Sequence, residues 1–398
     1  MTSKERREAR YQRRKATRDA KREEKTREAL DFDQVFTFAH LYRSALCCFK
    51  GVSRKASVQA YKARCGINVA RRLRDLRNGV FKLRQSPEFR TRERGHERRI
   101  NSIHIDDRVP EKCNSKYSLK VVLHRSLLWD NYASQENKGT DRARKRLQCH
   151  LERHIRRYGM KGGMIIFDFK GFFDSIQHGL VRWVLGRNYT DKRIIGMNMR
   201  IIRQARVKVG LVLGSENSQD FAISTPSSLD HFIKEVLRVE AYGRYMDDGW
   251  IIHPDMNYLR GVFKRIKEYA EWLGFKLNEK KSRIIRFGQP FSMLKRKYCF
   301  TETGAIIRRP VRESVIRERR KLKRLHRRFL LGTVGPKCGL NSLNAWKSSL
   351  RGCKCWKIVQ SMNRLYNKLY LGDLLYGRER ECITRSYQAG RSSMPATA

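Results

Sequence analysis

The sequence predicts an α+β chain in which long helices flank a small antiparallel sheet. Three observations carry that expectation. Apolar residues recur at helical spacing from Phe32 to about Leu83. Two short runs, GGMIIFDF at 162–169 and RYMDDGWII at 244–252, have the length and the Ile, Phe and Trp content of buried strands. A strongly basic helical pattern then follows residue 312.

The elements are expected in this order. Residues 2–28 hold 12 basic and 6 acidic residues and little apolar surface, so an arm over 1–30 that is loose alone and orders on a polyanion is expected. Val35, Phe38, Leu41 and Tyr42 mark one buried helical face, and Val69, Leu73 and Leu76 a second. RRINSIHI makes 89–109 strand-like, and helices are predicted over 117–128 and 140–157. After the strand at 162–169 come helical sequence at 176–207, a glycine-rich patch at 209–219 and a helix at 225–239. Asp248-Gly249 between apolar runs is a hairpin signal, because glycine tolerates positive φ. A helix at 255–273 and a strand near 282–287 complete this part. Val315, Leu322, Leu325 and Phe329 give the basic helix at 315–331 one apolar side; the chain stays helical to about Tyr376 and ends in a disordered tail over 381–398.

Composition narrows the function. The 398 residues are 40% hydrophobic, enough for a real core. Lys and Arg number 89 against 39 Asp and Glu, a net charge of +50, which implies a polyanionic partner: nucleic acid first, an anionic membrane second. There is no run of 18 apolar residues and no signal-peptide apolar region, so a cytoplasmic protein without a membrane partner is expected. Ten scattered cysteines argue against a disulfide scaffold. Cys338, Cys353 and Cys355 cluster, but only one residue separates the last two and no fourth ligand is evident, which favours free thiols over zinc.

Asp168 stands in a run too apolar for an unpaired charge, so it must be paired, protonated or bound to a cation. Asp247 and Asp248 raise the same question. Carboxylates on two strands with no nearby His or Cys are what Mg²⁺ prefers. Two such ions would activate a 3′ hydroxyl and hold a leaving pyrophosphate.

At this point the residues resemble bacterial reverse transcriptases, over roughly 35–330. RYMDDGWII resembles the family's palm hairpin and IIFDFKGFFDSI its first palm strand. GLVLGSENSQ, LGFKLNEKKSRI, FSMLKRKY, RGHERRINS and ENKGTDRA stand in family order. The resemblance implies a right-hand polymerase: helical N-terminal region and fingers over 31–160, palm over 161–300, helical basic thumb and extension over 301–380. It implies Asp168, Asp247 and Asp248 as catalytic metal carboxylates for two Mg²⁺, with Mn²⁺ able to substitute. Arg98, with Arg99 as competitor, and Lys281, with Lys280 as competitor, would meet the triphosphate. Phe173 would exclude a ribose 2′-OH, and Leu213 and Gly214 would line the nucleotide. Met293, Leu294 and Lys295 fall at the primer grip. Arg317, Arg320, Lys321, Arg324 and Arg328 would meet phosphates. The implied partners are a structured non-coding RNA template, a DNA or RNA primer, and dNTPs.

Where many relatives carry Pro-Gln-Gly, this chain reads Val212-Leu213-Gly214. That loop is similar to those of diversity-generating retroelements, which misincorporate at template adenines. The segment LDHFIKEVLRVEAYGRYMDD and the charged arm look more like stand-alone, antiphage-defence enzymes. A non-catalytic RNA-binding scaffold with a relic palm is the alternative of another class; three retained carboxylates argue against it.

Overall fold

The computed structural model describes residues 2–27, 30–84, 86–93, 96–203, 208–335 and 337–370. It divides into two compact units, 1–286 and 287–398.

In the first unit the charged arm is a helix, Ser3–Arg27, rather than a loose segment. Its Arg18 pairs with Glu235 and its Asp19 accepts from Arg187 at 3.4 Å, so specific partners hold a sequence that has little apolar surface to bury. The first apolar face also differs from the expected one. Val35 and Leu41 are buried, whereas Phe38 and Tyr42 are exposed and stack on each other at 6.0 Å. The reason is a reset of phase. Val35 ends a short turn, Phe32–Val35, and Thr37 then caps a new helix, Phe38–Phe49, by accepting from the His40 N–H. Val69 and Leu76 are buried as expected.

Strands β1 (Glu88–Glu93) and β2 (His96–Asn101) form an antiparallel hairpin. The strand-like stretch stops there, because His104 caps a helix at Ile105. That helix runs through a π segment, Ser115–Leu119, into Lys120–Leu123. The helix expected over 176–207 is interrupted as His178–Gly186 and Lys192–Ile202, the second capped by Asp191; residues 204–207 lie outside the described part.

The central sheet has strands β3 (Gly163–Asp168), β4 (Ala241–Tyr245), β5 (Asp248–His253) and β6 (Arg283–Arg286), in the order β4-β5-β3-β6, all antiparallel. Every residue of β3 is buried, which explains its unbroken apolar run. The helices Thr140–Tyr158 and Met256–Trp272 pack on it, the first through a Trp250 indole N–H to His150 at 3.2 Å.

The second unit holds a three-stranded antiparallel sheet, β7 (Phe291–Met293), β8 (Arg296–Phe300) and β9 (Ile306–Pro310). Its long basic helix, Arg312–Leu330, buries Leu322 against Leu343, Trp346, Leu350 and Met362. The predicted tail over 381–398 lies outside the described residues.

Candidate active site

Asp168 ends β3 and Asp248 begins β5, and the two are direct cross-strand partners. Directly opposed residues have Cα atoms about 4.5–5.5 Å apart and side chains on one face. Two carboxylates separated by eighty positions in sequence are thus forced together. Asp247 occupies the turn between β4 and β5, and its carbonyl accepts from the Phe169 N–H at 3.3 Å. Lys281 Nζ donates to Asp168 Oδ2 at 2.8 Å. The chain on either side of it is fixed on β3: Asn278 N–H donates to the Asp168 carbonyl at 2.7 Å, and the Asp168 N–H donates to Ser282 Oγ at 3.1 Å. Lys281, not Lys280, therefore reaches the carboxylates.

Charge in this cluster is strongly perturbed. Burial, then Asp247 and Asp168, push the Asp248 carboxyl up to about 7. Burial pulls Lys281 down, but its bond to Asp168 and the charges of Asp248 and Asp247 outweigh that and raise it. Among the described residues no three His, Cys, Asp or Glu side chains are gathered closely enough to hold an ion by themselves. The donor set nonetheless fits a hard divalent cation, which would relieve the crowding that lifts Asp248. Mg²⁺ sites of this kind use one or two carboxylates and take their remaining oxygens from substrate phosphate and water.

The turn lies two residues before the one Asp-Gly predicts. Tyr245 pairs with Asp248, leaving Met246 and Asp247 as a two-residue connection with Met246 at φ +55°. Gly249 lies in β5 instead. A Cβ there would sit 2.1 Å from the Phe167 ring, so glycine serves close packing rather than turning. A bulky residue at positive φ costs about 1–3 kcal/mol and persists only where surroundings dictate it.

Arg244 supplies that constraint. Its fully buried guanidinium donates to the Met246 carbonyl at 2.9 Å, to the Ile223 carbonyl at 2.9 Å, and to both oxygens of buried Asp230 at 2.7 Å. The Tyr242 hydroxyl adds a bond to Asp230 at 2.5 Å. Sequence reasoning missed this network. The signal was present: Arg244 in the strand AYGRY and Asp230 in SSLDHF are charges in apolar runs, as Asp168 is.

The predicted nucleotide residues are distributed as follows. Phe173 is half-buried, edge-on to Phe172 at 5.8 Å, and its carbonyl accepts from Leu211 N–H at 2.9 Å, which lays the glycine-rich loop alongside it. The Leu213 carbonyl accepts from Asn101 N–H, at the end of β2, at 2.9 Å. Gly214 has φ +122°, and a Cβ there would lie 2.4 Å from the Asn101 carbonyl, so only glycine fits. Arg98 pairs with Thr91 on β2; its side chain lies outside the described part. Arg99 faces Glu88 at 3.8 Å.

In the second unit Met293 and Arg296 close a hairpin whose turn is Leu294-Lys295, both at positive φ as a type I′ turn requires. On the basic helix Arg317, Arg320, Lys321, Arg324 and Arg328 are all exposed, while Glu318 is buried and accepts from Ser342. Cys338 is exposed, Cys353 and Cys355 are half-buried, and none of the three is in a disulfide.

No curated protein matches this sequence. Solved structures similar to it include two telomerases. Telomerase from Candida albicans, in complex with a TWJ fragment of telomeric RNA, is 13% identical over 74% of this chain and 57% of that one, with a TM-score of 0.44. Apo telomerase from Candida tropicalis, truncated from the C-terminal domain, is 14% identical over 59% and 58%, with a TM-score of 0.45. This chain therefore spans less than two thirds of either. Residues 93–305, more than half of the chain, match the family model described as reverse transcriptase (RNA-dependent DNA polymerase). The chain belongs to the reverse transcriptase family, and its four-stranded sheet packed on helices is the palm of a right-hand polymerase.

Proposed function

We propose that this protein copies a dedicated structured non-coding RNA into DNA in the cytoplasm of a bacterium, in antiphage defence. The observation that carries the catalytic part is the register that sets Asp168 against Asp248, with Lys281 on Asp168. Asp168 and Asp247 would hold two Mg²⁺ ions, with Asp248 adjacent; the ions, when bound, would supply Lewis-acid stabilisation of the transferring phosphoryl group. The residues themselves position and shield. Lys281 would donate a proton to departing phosphate, Phe173 would block a 2′-OH, and Leu213 and Gly214 would bound the nucleotide. Met293, Leu294 and Lys295 hold the primer end. The exposed cations of the basic helix hold phosphates without reading sequence.

Primer extension on an RNA template tests the activity: Mg²⁺-dependent use of dNTPs over NTPs, lost in Asp247→Ala, supports it, and equal extension by that variant refutes it. Sequencing the RNA bound in the host and the cDNA made tests the role. One recurrent non-coding RNA supports defence. A gene-like template scrambled at adenines supports diversity generation instead, a second reading favoured by Leu213 at a position where many relatives carry Gln.

A further inference from the structure

The loop beside Phe173 is fixed by side chains that belong to no part of the site described so far. Glu216, in the first turn of the helix Glu216–Ser224, follows Gly214 by two residues. Its carboxylate accepts from Lys112 Nζ at 2.9 and 2.8 Å and from Lys120 Nζ at 2.6 Å. Next to it, buried Ser215 donates to Glu111 at 2.7 Å. Further along the same helix, buried Asp220 accepts from Ser115 at 2.6 Å. The loop is thus held from two directions: β2 through Asn101, and the helical run 105–123 through Glu111, Lys112, Ser115 and Lys120.

The π segment makes this grip possible. Residues eight apart on an uninterrupted α-helix point about 80° away from each other. Between Lys112 and Lys120 the chain winds through Ser115–Leu119 with i→i+5 bonds. That wider winding turns less per residue and brings the two ammonium groups toward the same side, where one carboxylate receives both.

We infer that Lys112, Glu216 and Lys120 form a positioning clamp that sets nucleotide affinity and discrimination by fixing where Leu213 and Gly214 stand beside Phe173. The inference rests on the proposal above that this loop bounds the incoming nucleotide. Glu216 touches no reacting atom; it acts through the loop. Burial disfavours its charge, but the two lysine bonds outweigh that and hold it below the usual carboxylate range, so the clamp stays ionised at neutral pH. Charge-assisted bonds are the stronger and more directional kind, which suits a part that must not drift.

Steady-state single-nucleotide extension separates the possibilities. Glu216→Gln keeps the shape and removes the charge. The expected result is a KM for the correct dNTP raised about tenfold, kcat within about twofold, and a changed ratio of correct to incorrect incorporation. Reversing the set (Glu216→Lys with Lys112→Glu and Lys120→Glu) should recover much of the KM. Leu213→Ala serves as the control on the loop. If Glu216→Gln leaves KM and discrimination unchanged while Leu213→Ala alters them, the clamp is refuted and the loop assignment stands. If neither variant alters them, the loop does not bound the nucleotide, and both fall. A fall in kcat that tracks a fall in melting temperature, with KM unchanged, marks a purely structural role and refutes the clamp too.

Discussion

Replacing Arg244 separates a residue that stabilises the palm from one that aims its carboxylates. Arg244→Lys keeps a cation for Asp230 but cannot also reach the Met246 and Ile223 carbonyls. The buried Ile223 carbonyl loses its donor, at about 1–3 kcal/mol, and the half-buried Met246 carbonyl loses its own at a smaller cost. Arg244→Met is harsher, because Asp230 keeps only Tyr242; breaking a buried pair in this way costs about 3–5 kcal/mol. The informative variant removes the whole network: Tyr242→Phe, Asp230→Leu and Arg244→Met together. Apolar replacement of a buried ion pair is often neutral or stabilising, so urea unfolding should show stability recovered. The turn, however, would still lack the bond on Met246. A displacement of about 1 Å at a reacting group lowers turnover about a hundredfold. Single-turnover primer extension by a fully folded triple variant should therefore remain slow. Turnover within twofold of the unmodified protein would show that the register of β3 and β5 alone places the carboxylates, and would refute the role given to Arg244.

Three further outcomes follow from the same geometry. Phe173→Ala should admit ribonucleotides, narrowing the dNTP-to-NTP ratio in kcat/KM about tenfold or more; an unchanged ratio would reduce Phe173 to core packing against Phe172. Single alanine replacements of Arg317, Arg320, Lys321, Arg324 and Arg328 should each weaken binding to nucleic acid of any sequence and lower the log–log salt slope by about 1, whereas an unaltered slope would make that position a solvated face. Both His231 ring nitrogens face acceptors, Glu235 Oε1 at 2.8 Å and the Ser126 carbonyl at 2.9 Å. Burial lowers the imidazole, but Glu235, Ser126 and Asp230 outweigh it and raise the net value, with Arg18 also on Glu235. A raised folded value means that this contribution is whole below about pH 6.5, the unfolded value, and is lost as pH rises through the folded one. Unfolding free energy should fall over that interval, and His231→Gln should flatten the fall.

Much of the palm was legible because burial on both faces demands unbroken apolar runs. GMIIFD and GWII read as inner strands, and the same dryness made Asp168 conspicuous. What stayed hidden was hidden for physical reasons. Asp248-Gly249 carries the chemistry of a turn, yet the Phe167 ring claims the space over Gly249 and the bend moves to Met246-Asp247. Phe38 and Tyr42 fit a helical period that Thr37 restarts. The arm over 3–27 has too few apolar residues to announce a packed helix; distant partners, Glu235 and Arg187, hold it instead. Arg244 pairs with Asp230 across 14 residues, and Glu216 with Lys112 and Lys120 across 104 and 96, separations that periodicity cannot supply.

Divalent-ion binding reads out the carboxylates of the palm. Mn²⁺ can be titrated by electron paramagnetic resonance into the protein with primer, RNA template and dNTP present. The unmodified protein should bind two ions, and Asp168→Asn and Asp247→Asn should each lose binding together with primer extension. Undiminished ion binding and extension in either variant would contradict the assignment of these carboxylates.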